Sequence, residues 1–267
     1  MAVSPVLHRL LSFLFYCCLS AAVSAGAAGP PAIALIIDDL GNQQVTGLAA
    51  VGLPGPVACA FLPDGPFTRD LAGQAHDRGK EVMLHMPMQP ADSAPSYAAE
   101  PGMLTMDMTR LQYHAVLERD LAAVPHAIGL NNHMGSLLTR HPGSMDWLMQ
   151  ELAKRSNLFF IDSRTTTASV ARRLADEYGI PSTQRDVFLD NEQDADAIRG
   201  EFRRLLQLAR TNGTALAIGH PLPATLQVLQ EEIPLLEARG VEVVPVGRLI
   251  ELQGQEQQLL WQAYSSR

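Results

Sequence analysis

Residues 32–44 read AIALIIDDLGNQQ. Ile33, Ala34, Leu35, Ile36 and Ile37 form an unbroken apolar run. It is too short for a helix and rich in β-branched residues, so it reads as a buried strand. The run ends in two adjacent carboxylates, Asp38 and Asp39, which repel each other and are costly to bury. A buried strand that ends in acids needs either a turn that brings them out or a ligand that takes up their charge.

Working outward, the chain alternates short apolar runs with helical patterns. Strand candidates are residues 33–37, 57–61, 81–84, 127–130, 158–161, 215–218 and 241–244, with a weaker one at 181–185. Helical patterns lie between them, as in TRLQYHAVLERDLAAV (109–124) and DADAIRGEFRRLLQLARTNG (194–213). Gly79, Gly179, Gly213 and Gly240 sit where helices stop before the next strand, the usual place for a C-terminal glycine. Strands alternating with helices predict an α/β fold with a parallel sheet and right-handed crossovers. Seven or eight units suggest a closed or nearly closed (β/α) barrel, and an open doubly wound sheet is the alternative. The longest stretch without periodicity is residues 86–108, rich in Pro, Ala and Ser.

The 267 residues are within reach of one large domain, and 47% are hydrophobic. A formal charge of −8 leaves no basic footprint for nucleic acid. Residues 1–25 read as a signal peptide, with His8 and Arg9 ahead of a short apolar run and a small-residue cleavage site at VSA. The apolar run is short of a spanning helix, so an exported, periplasmic or secreted protein with no membrane span after cleavage is expected. The domain is expected over residues 30–252, followed by a polar tail at 253–267. Cys17 and Cys18 fall in the signal, leaving Cys59, so metal ligands must be His, Asp or Glu.

In parallel α/β folds the sites lie at the C-terminal ends of the strands. Asp38 and Asp39 follow the first strand, His85 the third, and Asn131, Asn132 and His133 the fourth. Asp162, Ser163 and Arg164 follow the fifth, Arg185 and Asp186 the weak sixth, and His220 the seventh. Each alone has an ordinary reading, as a helix cap, a core histidine or a turn residue. Together on one rim they fit a mononuclear metal site. One carboxylate and two imidazoles leave an open position on a divalent metal, Zn²⁺ first among them, as catalytic sites do. One acid of the Asp38–Asp39 pair then binds the ion, whose charge offsets the other, and the second stays free as a general base.

At these residues the chain resembles the divergent polysaccharide deacetylase family, a branch of the NodB-like carbohydrate esterases. The segments that carry the resemblance are ALIIDDLG, EVMLHMPMQP, IGLNNHMGSLLT, FFIDSRTT, RDVFLDN and AIGHPLPATL. The resemblance implies a deformed (β/α) barrel and metal-dependent removal of N- or O-acetyl groups from a polysaccharide such as peptidoglycan. It implies Asp38 as base, Asp39 and His85 as metal ligands, and His220 as general acid oriented by Asp162. Where the superfamily places a second metal histidine this chain has Gln89, and His133 is the candidate for the missing ligand. The superfamily's Arg-x-Pro motif has no clear match, and Arg164 or Arg185 is the candidate for its charge. Asn132, Arg164, Arg185 and Asp186 complete the rim as candidate substrate-binding residues. A glycan-binding or regulatory protein on the same barrel is the alternative function.

Overall fold

The computed structural model describes residues 29–91 and 102–265. The expected signal peptide and the middle of the proline-rich loop lie outside the described residues. Among these, nine strands alternate with helices. The strands are β1 (Ala32–Leu40), β2 (Ala58–Phe61), β3 (Val82–Met88), β4 (Ala127–Met134), β5 (Phe159–Asp162), β6 (Ser182–Gln184), β7 (Val187–Phe188), β8 (Thr214–Gly219) and β9 (Glu242–Val243). The helices are α1 (Gln44–Val51), α2 (Thr68–Asp77), α3 (Arg110–Ala123), α4 (Pro142–Leu152), α5 (Ala171–Glu177), α6 (Ala195–Asn212), α7 (Pro223–Glu232) and α8 (Val246–Ser265).

Every ladder is parallel, in the order β6-β5-β4-β3-β2-β1-β8-β7, with β9 beside β1. The sheet curls into a deformed barrel that stays open between β6 and β7. Alternation along the strands sorts the side chains into two layers. Ile33, Leu35, Ile37, Leu84, Leu130 and Phe160 pack outward under the helices. Ala34, Ile36, Ala60, Met83, Ile161 and Ile218 fill the inside of the curl. Val246 and Leu249 of α8 join that inner layer and plug one end of it. Glu81 fixes the plug, accepting the backbone N–H of Val246 and Gly247, the latter at 3.0 Å.

Local sequence sets the ends of the elements. Thr109 and Gln112 form a reciprocal capping box at the start of α3. Asp194 caps α6 by accepting from the N–H of Asp196 and Ala197 at 2.9 and 3.1 Å. Gly79, Gly179, Gly213 and Gly240 all take positive φ, as their positions in the sequence imply. Several boundaries differ from the sequence reading. β3 and β4 run on through His85 and His133, because His85 pairs with Asn131 and Pro87 with His133 along the ladder. The stretch from residue 253 continues α8 as far as Ser265.

Gly129 of β4 lies opposite Phe159 of β5. A Cβ there would stand 2.2 Å from the Phe159 ring. Gly129→Ala is therefore expected to destabilise the fold by about 1–3 kcal/mol, the usual cost of overpacking. A lower denaturant midpoint with an unchanged m-value is the expected readout.

Candidate metal centre

The two acids of the opening stretch reach one site through a bulge. Between Ile37 and Leu40 β1 advances three residues while β2 advances two, from Cys59 to Phe61. The extra residue interrupts the alternation, and Asp39 takes a left-handed φ of 56°. Bulges of this kind re-aim a side chain beside active sites. Asp38 keeps the inward direction of Ala34 and Ile36, and Asp39 turns over the rim beside it.

Asp39 Oδ1, His85 Nε2 and His133 Nδ1 form a near-equilateral triangle. The sides are 3.2 Å from Asp39 to His85, 3.0 Å from Asp39 to His133 and 3.1 Å between the imidazoles. His85 is held from behind. Its Nδ1–H donates to Asn131 Oδ1 at 2.8 Å, while Asn131 Nδ2 donates to Asp38 Oδ1 at 2.8 Å. That chain fixes the His85 tautomer and turns the Nε2 lone pair into the triangle. Asp39 Oδ1 is sealed from solvent, with His85 Nε2 and His133 Nδ1 beside it. Burial works against ionisation of Asp39, but His133 and His85 outweigh it and hold the carboxyl far below the usual range. A sealed carboxylate oxygen and two imidazole nitrogens at these separations make a three-ligand set suited to one divalent cation.

Two further groups flank the triangle. Asp38 is buried, with Oδ2 3.6 Å from His85 Nε2. Burial pushes its carboxyl above the ordinary range and the Asp39 charge adds to this, against the pull of His85 and His220. His220 follows β8 on the other side, with Nε2 3.8 Å from Asp39 Oδ2. Its Nδ1 meets Asp190 Oδ1 at 2.9 Å, and its backbone N–H donates to Asp190 Oδ2 at 2.6 Å. Thr225 Oγ1 donates to the same carboxylate at 2.8 Å. Burial disfavours the imidazolium, but the Asp190 hydrogen bond and charge, with Asp38 and Asp39, raise the His220 pKa to about 9. Side-chain exposure is 35% for Asp39 and 22% for His220, against 4% for Asp38 and 3% for His85. A ligand therefore approaches over Asp39 and His220, where Asn42, Gln43 and Leu222 wall a cleft of about 370 Å³.

Four expected roles need correction. Asp162 does not orient His220. It shares the outward face of Phe160, and its oxygens accept from the Arg164 N–H at 2.8 Å and Ser169 Oγ at 2.7 Å. It is Asp190, from the segment RDVFLDN, that contacts His220. Asn132 also points outward, and its amide is spent on the Ser163 N–H at 2.8 Å and the Met134 carbonyl at 2.7 Å. Asp186 accepts from the Leu216 N–H at 2.8 Å and so secures β8. Gln89 accepts from the Met106 N–H at 2.8 Å and takes no part in the triangle. Arg185 donates to the carbonyls of Ser163 and Arg164 at 2.6 and 2.8 Å, with its guanidinium 4.9 Å from the Phe188 ring centre. Arg164 lies beyond β5, one strand along the rim from His133.

A parallel barrel left open at one seam, with a carboxylate and two imidazoles on its C-terminal rim, has the architecture of the NodB-like carbohydrate esterases. Residues 35–250 match the divergent polysaccharide deacetylase family, and the chain belongs to it. It is 38% identical over 229 residues to the Escherichia coli protein YibQ, covering 86% of this chain and 69% of that one. A protein of Haemophilus influenzae is 36% identical over 217 residues, covering 81% and 76%. Among solved structures, the Agrobacterium tumefaciens protein ATU2773 aligns with a TM-score of 0.79 at 24% identity, over 84% of this chain and 90% of that one. A mutant of the peptidoglycan deacetylase PdaC from Bacillus subtilis aligns with a TM-score of 0.51 at 11% identity, over 89% and 98%. These structural likenesses concern the fold.

Proposed function

We propose that the protein is an exported, metal-dependent deacetylase of an N-acetylated polysaccharide, with peptidoglycan the foremost substrate class. The observation that carries this reading is the triangle of Asp39, His85 and His133 set between a buried carboxylate and a carboxylate-backed imidazole. Export rests on the basic start and apolar run of residues 1–25.

Asp39 Oδ1, His85 Nε2 and His133 Nδ1 would hold a divalent ion, which would supply Lewis acidity and lower the pKa of water to about 7. Asp38, with its raised pKa, takes the proton that water gives up on attacking the acetyl carbon. As the C–N bond breaks, His220 Nε2 gives a proton to the leaving nitrogen. Acetate and a free amine result, and a proton passes from Asp38 to His220 through solvent to restore both groups. Asp190 keeps Nδ1 engaged, so that Nε2 is the nitrogen presented to substrate.

Asp38→Asn tests this reading. Turnover is expected to fall by at least about 10²–10⁴-fold, the usual contribution of a general base. Bound metal is expected to persist, because Asp38 is not in the triangle. Acetate release from an N-acetylated glycan, measured beside metal content, reads both. If the unaltered, metal-loaded protein binds glycan but releases no acetate, a glycan-binding role replaces the enzymatic one.

A further inference from the structure

Among the described residues, three of the four non-glycine residues with left-handed φ lie on the rim, and the fourth, His126, precedes β4 at its opposite end. Asp39, Met134 and Arg164 have φ of 56°, 53° and 52°, at the ends of β1, β4 and β5. Such backbone persists only where its surroundings hold it, and it concentrates at ligand sites. Asp39 is a member of the triangle, and Met134 follows its member His133. Arg164 has no such role, yet it is held as firmly. Its N–H donates to Asp162 Oδ1, its carbonyl accepts from Arg185, and the Arg185 N–H donates to the Asp162 carbonyl at 2.9 Å. The next residue, Thr165, donates from Oγ1 to the Met134 carbonyl at 2.8 Å, which ties this turn to the triangle.

The Arg164 side chain is half-buried in a cavity of about 500 Å³ between β5, α5 and the edge strand β6. The carboxylates around that cavity are already engaged. Asp162 accepts from Arg164 N–H and Ser169, Asp176 accepts from Ser182 Oγ at 2.7 Å, and Glu177 pairs with Arg173. Arg172 reaches Asp176 only at 3.9 Å. Among the described residues the Arg164 guanidinium has no carboxylate within ion-pair distance, and it donates to Gln184 Oε1 at 3.5 Å. A half-buried guanidinium on a strained, braced turn is a fork presented for a planar oxyanion.

We infer that this cavity is a carboxylate-binding subsite. Arg164, backed by Arg172, holds an acidic group carried by the glycan beside the residue being deacetylated. The inference rests on the polysaccharide reading and deepens it. The sheet order sets β5, whose end carries Arg164, beside β4, whose end carries His133, so a polymer that runs along the rim from Asp39 and His133 toward β6 reaches the subsite. The carboxylate has two sources, an acidic substituent on the sugar or a peptide attached to it.

Calorimetric binding to the full chain separates these outcomes. Three glycans of equal length serve as probes: a neutral N-acetylglucosamine oligomer, a peptidoglycan strand bearing its peptides, and the same strand stripped of peptides so that its lactyl carboxylates are free. One acidic probe is expected to bind about tenfold or more tighter than the neutral one, and which one does so identifies the source. The preference is expected to shrink in 1 M salt, where screening acts within about 3 Å. Arg164→Gln is expected to abolish the preference, bringing the affinity of the acidic probe down to that of the neutral one in the same variant. If Arg164→Gln fails to fold by circular dichroism, Arg172→Gln replaces it, with a severalfold loss of preference expected. Equal binding of all three probes, or an undiminished preference in a folded variant, overturns the inference. Acetate release is scored separately, so a preference without turnover removes the deacetylase reading and keeps the subsite.

Discussion

His133→Ala is expected to purify folded but without its metal. His133 supplies one of three ligand atoms, and Asp39 Oδ1 and His85 Nε2 cannot replace it. Replacing a residue that only steadies a ligand typically costs about 10–100-fold in metal affinity. Losing a ligand itself is expected to exceed that. Asn131→Ala supplies the comparison, because Asn131 touches His85 and Asp38 and stays out of the triangle. Its loss is expected to fall within the 10–100-fold range. The His133 side chain is 15% exposed at the end of β4, so the core is expected to survive its truncation. Metal content after dialysis, read beside circular dichroism, decides the matter. Full occupancy in folded His133→Ala removes it from the ligand set.

His133 also marks what the sequence could convey. The order of strands and helices was legible because apolar runs and terminal glycines repeat so regularly. The acids after the first strand and the histidines after the later ones were legible as a shared rim. The two-residue alternation of a strand also sorts the rim residues by face. Phe160 and Asp162 share one face, so an Asp162 that packs with Phe160 under the helices cannot also face the inside of the curl. Phe188 and Asp190 alternate with Val187 and Leu189, both of which are in the outer core. That alternation points Asp190 inward, toward His220. Asn132 follows Leu130 to the outer face by the same rule. The bulge at Asp38–Asp39 was not legible. Whether adjacent acids diverge or converge depends on one residue of register against β2, which no local pattern specifies. Nor could a sequence reading separate Arg164 from Arg185. Both are arginines after strands, and only the structure shows that the donors of Arg185 are spent on carbonyls.

Asp190→Asn is expected to lower turnover by about 10²–10³-fold, within the usual contribution of acid–base catalysis, with metal content unchanged. Asp190 is a positioning residue, so the rate alone does not separate its role from general damage. The pH profile does. His220 is raised to about 9 in spite of burial, with Asp190 foremost among the groups that raise it. The protonated imidazole is the acid, so activity is lost as pH rises through the His220 pKa. Removing the Asp190 charge leaves burial opposed only by Asp38 and Asp39, and the pKa falls. The alkaline limb is therefore expected to move to lower pH. Stability gives an independent readout. A group whose folded pKa is raised above its unfolded value of about 6.5 contributes stability that is complete below that value. The contribution fades as pH rises through about 9. The gap in thermal midpoint between the unaltered protein and Asp190→Asn is accordingly expected to be widest below about pH 6.5 and to narrow toward pH 9. Asp162→Asn is the control, because it loosens the Arg164 turn and makes no contact with His220. Its alkaline limb is expected to stay in place. A limb that moves in Asp162→Asn and not in Asp190→Asn would return the orienting role to Asp162 and refute the dyad.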